Sequence, residues 1–369
     1  MDFAFDQDQQ LLKNAARAFL DEHCKPSLVR ALWDDHRGES EAMWKEMAQL
    51  GWLGLPLPEV FGGSGLGMVE TAIVVEEMGR AACPGPYVST ILAAGAIAEA
   101  GSDAQKNRWL PAIATGSARA AIAWLDTEWN WDPTSAATTA TPTGSGWTLK
   151  GAKRFVPWAH VADVLLVPAR VPEGLALFLV EPSAPGLAQV PLTGMDLGTR
   201  WTSLTLEGTP VAADARLGAQ ASALLERLFQ RGAVCAAAEM LGASRRCLDM
   251  SVGYAKVREQ FGQPIGSFQA IRHKCAEMLL KVENAHAATY YAAWALDAGA
   301  EDAAVAASVA KAYVSEASRD VCGEAIQVHG GIGFTWEYDL HLYFKRAKAL
   351  EPMFGDADHH RELIVRRVT

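Results

Sequence analysis

Residues 354–360, FGDADHH, gather two carboxylates and two imidazoles in a short span: Asp356, Asp358, His359 and His360. These residue types bind metals, but helical ligand pairs need i, i+4 spacing. Adjacent histidines on a helix diverge, so no metal centre is expected there. The six cysteines (Cys24, Cys83, Cys235, Cys247, Cys275, Cys322) are scattered and contain no C-x-x-C pair. That argues against a zinc site or a disulfide framework and fits a reducing, cytoplasmic setting. Gly330 and Gly331 suit a helix C-cap and turn. His329, just before them, reads as a packed histidine rather than a catalyst. Arg258, taken alone, reads as a surface arginine paired with a helix neighbour.

The elements that must position these groups alternate in texture. The 369 residues, half of them hydrophobic, allow a large core and two or three domains. Residues 1–117 read as a helical domain. In DQQLLKNAARAFLDEH, Leu11, Leu12, Ala15, Ala16 and Phe19 recur at helical spacing. Residues 118–218 change character. ADVLLVPARV, LALFLVEP and TSLTLEGTPV are short apolar or alternating runs bounded by Pro and Gly, which predicts a β-domain. From 219 to 369 the chain is helical again, with segments expected at 219–257, 267–298, 302–328 and 338–351. FGQPIGS and HGGIGF separate them.

The formal net charge of −10 argues against nucleic acid as a partner. No run of eighteen apolar residues exists, so no membrane span is expected. The first ten residues, MDFAFDQDQQ, are acidic and polar and lack the pattern of a secretory signal.

Two long motifs, YAKVREQFGQPIGSFQ (254–269) and QVHGGIGFTWEYDLHLYFKRAK (327–348), strongly resemble the acyl-CoA dehydrogenase family. LGWLGLPLPEVFGGSGLG and GSDAQKNRWLPAIATG support the likeness, which spans essentially the whole chain. The resemblance implies an α+β multidomain fold: an N-terminal helical domain, a central β-domain and a C-terminal four-helix bundle, assembled as dimers or dimers of dimers. It implies FAD bound between subunits, an acyl-CoA substrate and an electron-transfer flavoprotein that reoxidises the flavin. In the implied chemistry a carboxylate takes the α-proton of the thioester while the β-hydride goes to the flavin.

Carried over position by position, the resemblance implies cofactor contacts at Arg258, Phe261, Gln269, Gln327, Gly330 and Gly331. All of these serve an FAD whose ring sits in the neighbouring subunit. The fork of Arg258 suits pyrophosphate oxygens, and the glycines admit close backbone approach. The residues implied for this subunit's own flavin ring fare differently. The family's Thr-Glu-Pro-x-x-Gly-Ser-Asp loop falls on LDTEWNWD (125–132), where Thr127 and Glu128 precede Trp129 rather than proline. Its Trp-Ile-Thr clamp falls on Phe155, Val156 and Pro157, and proline supplies neither N–H nor hydroxyl. The threonine that often follows the family's Glu-Gly falls at Asp356, where a carboxylate would repel an anionic cofactor.

The family's catalytic glutamate falls at Phe354, and its alternative position on the first bundle helix falls at Gly232. No base is therefore expected at either usual position. Glu239 lies two turns beyond Gly232, roughly 10 Å along the axis. Glu226 points to another face, and Asp356 and Asp358 follow the lost position; Glu239 and Asp356 are the weak substitutes. Phe354 reads as a plug where reacting carbons would lie, or as one wall of an altered acyl pocket. The pattern resembles the base-lacking subunit of heteromeric, steroid-side-chain-type acyl-CoA dehydrogenases. The expected function is desaturation of a bulky acyl-CoA together with a homologous catalytic chain, as a heterotetramer. A self-sufficient homotetramer with a relocated base, a non-catalytic acyl-CoA-binding or scaffold protein, and a redox enzyme for a non-CoA substrate remain alternatives.

Overall fold

The computed structural model describes residues 5–126, 130–218 and 220–368. Among these residues six α-helices come first: α1 (Gln7–His23), α2 (Pro26–Asp34), α3 (Glu41–Gln49), α4 (Met68–Arg80), α5 (Tyr87–Ala100) and α6 (Asp103–Ala114). Seven strands follow: β1 (Ala120–Ile122), β2 (Thr139–Thr143), β3 (Gly146–Pro157), β4 (Val164–Val171), β5 (Gly174–Val180), β6 (Leu187–Leu192) and β7 (Trp201–Ala212). Then come α7 (Ala221–Val257), α8 (Gln269–Ala298), α9 (Ala303–His329), α10 (Leu340–Leu350) and α11 (Ala357–Val368). A two-residue-strand hairpin, β8 (Glu259–Gln260) with β9 (Gln263–Pro264), sits between α7 and α8.

The chain divides into two compact units. The first runs to Ala31, takes Met68–Cys83 and resumes at Ala233. It holds α1, α4 and the C-terminal helices, with α9 packed on α8, α10 and α11. Asp6 caps α1 in a reciprocal box with Gln9, satisfying N–H groups that helix geometry leaves orphaned. The expected apolar stripe of α1 is partly displaced: Leu11 and Ala15 are exposed, and the buried positions are Lys13, Ala16 and Leu20. The reason is Glu76 of α4. It is fully buried, and Lys13 Nζ donates to both its oxygens at 3.0 Å. Arg245 of α7 pairs with it at 2.9 Å, and the Tyr290 hydroxyl of α8 donates to it. Burial opposes the Glu76 charge, but Lys13 and Arg245 outweigh it and hold the carboxyl below its usual range. Two glycines let α4 and α7 approach. A Cβ on Gly79 would lie 1.9 Å from the Glu239 carbonyl, and one on Gly242 would lie 1.8 Å from that of Glu76.

The second unit comprises Leu32–Gly67 and Pro84–Gly232. Its sheet runs β1-β4-β2-β3-β7-β6, with β5 hydrogen-bonded to β4. The β2–β3, β3–β7, β6–β7 and β4–β5 pairs are antiparallel, whereas β1 and β2 each meet β4 in parallel. The core draws on Leu149, Val156, Leu165, Val167, Phe178, Leu204 and Leu206. The predicted strand segments are β4, β5 and β7. Among the described residues, no helix is long and apolar enough to cross a membrane.

Candidate functional site

The positions implied to serve a neighbour's cofactor lie at the ends of the long C-terminal helices. Helix α7 stops at Val257, and Arg258 follows, its N–H bonded to the Tyr254 carbonyl at 2.8 Å. The β8–β9 hairpin then turns through Phe261 and Gly262 at φ +54° and +78°. Two central residues with positive φ make a type I′ turn, whose twist suits a tight hairpin. A phenylalanine pays a conformational cost there. The residue is 92% exposed, and its ring meets Phe268 edge-on with centroids 6.0 Å apart. The Arg258 side chain is exposed, and its guanidinium has no hydrogen-bond or ion-pair partner among the described residues. Gln269 opens α8 and is exposed.

Gln327 lies exposed in the last turn of α9, and Gly330 caps that helix at φ +61°, ψ −137°. This is backbone geometry that an L side chain resists. Space is open where a Cβ would stand on either Gly330 or Gly331. The two motifs are joined by an aromatic contact. Tyr254 stacks on His329 with centroids 4.4 Å apart, and Tyr338 packs on the same imidazole at 4.9 Å. His329 Nδ1 donates to the Ala325 carbonyl at 2.7 Å, and burial lowers its pKa. His329 is thus packed and hydrogen-bonded. The role of Tyr254 as its stacking partner was not legible, because the two are far apart in sequence. Around this surface Val257, Phe334 and Trp336 are also strongly exposed, an apolar concentration of the kind that marks an interaction face.

The two base positions carry no carboxylate. Phe354 is buried in the connection between α10 and α11, at φ +55°. Gly232 is buried within α7. Beside it, Arg231 pairs with Glu99 at 3.4 Å, and Arg227 pairs with the same carboxylate. Glu226 is exposed. Glu239 is the ion-pair partner of buried Arg346 at 2.6 Å, and Arg346 also donates to the Cys83 carbonyl at 3.0 Å. Asp356 caps α11: its Oδ1 accepts from the His359 N–H at 2.9 Å. Asp358 is exposed and pairs with Arg361 at 3.0 Å. Every acid weighed as a substitute base, other than solvent-facing Glu226, is thus engaged in a local bond. Among the described residues, no group of three or more His, Cys, Asp or Glu is gathered to hold a metal.

The loop matching the family's own-ring segment includes Thr127 and Glu128, which lie outside the described residues. Asp126 is buried and committed. It accepts from the N–H groups of Ala137 (3.2 Å) and Thr138 (3.0 Å), from the Thr138 hydroxyl, and from Lys153 Nζ at 2.9 Å. Lys153 is fully buried, and burial lowers its pKa to about 8 against the pull of Asp126. Two residues on, β3 slips register against β7, leaving Phe155 at φ +49° and Pro157 opposite Trp201. Asp126 and Lys153 are thus bonded to each other within the chain, and Pro157 offers no donor to a ligand.

Family models for the N-terminal and C-terminal domains of acyl-CoA dehydrogenases match residues 6–117 and 222–369. The chain belongs to the acyl-CoA dehydrogenase family. It is 31% identical over 350 residues to the acyl-CoA dehydrogenase IpdE2 of Mycolicibacterium smegmatis, covering 95% of each chain. Among solved structures it is similar to the ChsE4–ChsE5 complex from Mycobacterium tuberculosis, with TM-score 0.92, 30% identity and coverage of 100% and 99%. It is also similar to a variant of the Tcur3481–Tcur3483 steroid ACAD, with TM-score 0.91, 33% identity and 98% of each chain covered. The acyl-CoA dehydrogenase fold expected from the motifs is therefore the fold of this chain. Acyl-CoA dehydrogenases are flavin-dependent oxidoreductases acting on CH–CH bonds, and family membership brings FAD as the cofactor. The residues present fit one part of that cofactor. An unengaged arginine and two open glycines suit a pyrophosphate and nucleotide, whereas Pro157 and the internally bonded Asp126 do not suit a flavin ring.

Proposed function

We propose that this chain is the non-catalytic partner of a heteromeric acyl-CoA dehydrogenase, completing the FAD site of a homologous catalytic subunit. The carrying observation is the contrast between exposed, unengaged Arg258 and the carboxylate-free base position at buried Phe354. Bound FAD would accept the hydride. This chain would hold its nucleotide end through Arg258, Phe261, Gln269, Gln327, Gly330 and Gly331, and the catalytic chain would supply the base. The likeness to the ChsE4–ChsE5 complex and to the Tcur3481–Tcur3483 steroid ACAD supports a two-chain assembly, a heterotetramer, acting on a bulky, steroid-derived acyl-CoA. The exposed apolar residues around Phe261 and Phe334 support a subunit interface at that face. An electron-transfer flavoprotein as reoxidant and a cytoplasmic location belong to the same reading, as do domains at 1–117, 118–218 and 219–369.

The test is purification of the chain alone and with candidate catalytic chains, followed by flavin absorbance and acyl-CoA turnover. Flavin and activity should appear only in the mixed assembly. Tight FAD binding and acyl-CoA oxidation by the chain alone would sink the proposal. Absence of flavin from every co-purified complex would favour a binding or scaffold protein.

A further inference from the structure

The connection between α10 and α11 is secured by side chains from α9 and from α11 itself. Lys311 of α9 is fully buried, and its Nζ donates to Ser315 Oγ (3.0 Å), the Glu351 carbonyl (2.8 Å) and the Gly355 carbonyl (2.8 Å). An ammonium has three donors, and all three are met by neutral oxygens. Among the described residues, no carboxylate lies within ion-pair distance of it. Burial lowers the Lys311 pKa to about 7, although Glu351 and Asp356 act to raise it. His360 of α11 donates from Nε2 to the Phe354 carbonyl at 2.8 Å. The carbonyls of Glu351, Phe354 and Gly355 therefore all receive a buried side-chain donor.

This backbone needs such restraint. Phe354 stands at φ +55° and Gly355 at φ +94°. A non-glycine residue there persists only where its surroundings over-determine it. Any side chain on Gly355 would meet His359 at 2.6 Å and His360 at 3.0 Å. A lysine ammonium is costly to bury, so simple space-filling would be served better by methionine. We propose that Lys311 and His360 are positioning residues that set the backbone at 354 whatever side chain is mounted there. The inference rests on the reading above only in taking 354 as the family's base position. The carboxylate has gone, and its mount remains.

Hydrogen exchange of the full chain tests this. Peptides covering 351–360 contain the bonded amides of Met353, Gly355 and His360, and those of β7 serve as an internal reference. Lys311→Met should speed exchange in 351–360 at least tenfold and leave β7 unchanged. Lys311→Gln, which keeps two donors, should recover part of that protection, and Phe354→Ala should stay within threefold of the parent. Equal or faster exchange in Phe354→Ala than in Lys311→Met would show that ring packing holds the turn, overturning the proposal. So would an unaltered Lys311→Met. His360→Phe, run beside them, carries the same comparison should Lys311→Met fail to fold. Flavin content is read on separate preparations, so a chain that binds FAD alone ends the partner reading and leaves the exchange comparison intact.

Discussion

The Tyr254 ring lies on the His329 imidazole, centroids 4.4 Å apart and planes inclined by 24°. This one contact fastens the end of α7, which leads to Arg258, to the end of α9, which leads to Gly330 and Gly331. Tyr254→Ala should cost about 1 kcal/mol or more in urea unfolding from the lost pair. It should also lower flavin retention in the mixed assembly, because the two motifs lose their common register. Tyr254→Phe keeps the ring and should retain both properties. A Tyr254→Ala complex with full flavin content would separate the stack from cofactor holding.

Arg258 offers the cleaner test of cofactor contact, because its guanidinium makes no bond to any other group among the described residues. Arg258→Ala should leave urea stability within about 0.5 kcal/mol of the parent. Loss of a charge-assisted bond worth about 1.5–3 kcal/mol should weaken FAD binding by the assembly roughly ten- to a hundredfold. Lysine should rescue only in part, since it lacks the planar fork. Fluorimetric FAD titration of the reconstituted complex reads the effect.

Glu239 and Asp356 should behave as structural acids. Glu239→Gln leaves Arg346 buried without its anion and should destabilise by about 3 kcal/mol, softened by the Ala82 and Cys83 carbonyls that Arg346 also meets. Asp356→Ala removes a helix cap and should cost about 1 kcal/mol. Turnover of the assembly, measured where each variant is folded, should change less than tenfold. A loss of several orders of magnitude in either would restore the relocated-base alternative.

The turn at 354 also predicts a pH signature. Burial, and then the neighbouring Lys311 charge, bring the His360 pKa from 6.5 to about 3. The unfolded chain therefore binds this proton more tightly. The stability of the neutral imidazole is fully present above pH 6.5 and is lost as pH falls towards 3. Lys311 moves from 10.5 to about 7, so its contribution rises as pH increases through the interval between those values. Urea midpoints against pH should show a shallower acid fall in His360→Gln and no alkaline rise from this group in Lys311→Met. Parallel curves for parent and variants would contradict the assignment.

Local pattern alone located helices α7 to α10 and strands β4, β5 and β7, but not α11. The helical segments expected at 219–257, 267–298, 302–328 and 338–351 fold as α7 to α10 within two residues at every end, because apolar period and glycine breaks are properties of adjacent residues. The empty base positions at Phe354 and Gly232 were equally readable, since identity at a motif position needs no coordinates. The partners of buried charges were not. Lys13 displaces Leu11 from the inner face of α1 because Glu76 waits on α4, and Asp126 is claimed by Lys153 from across the sheet. Lys311 reaches carbonyls 40 and 44 residues away. A buried charge is tolerable only where distant segments bring it donors or acceptors, and that meeting exists only once the chain has folded.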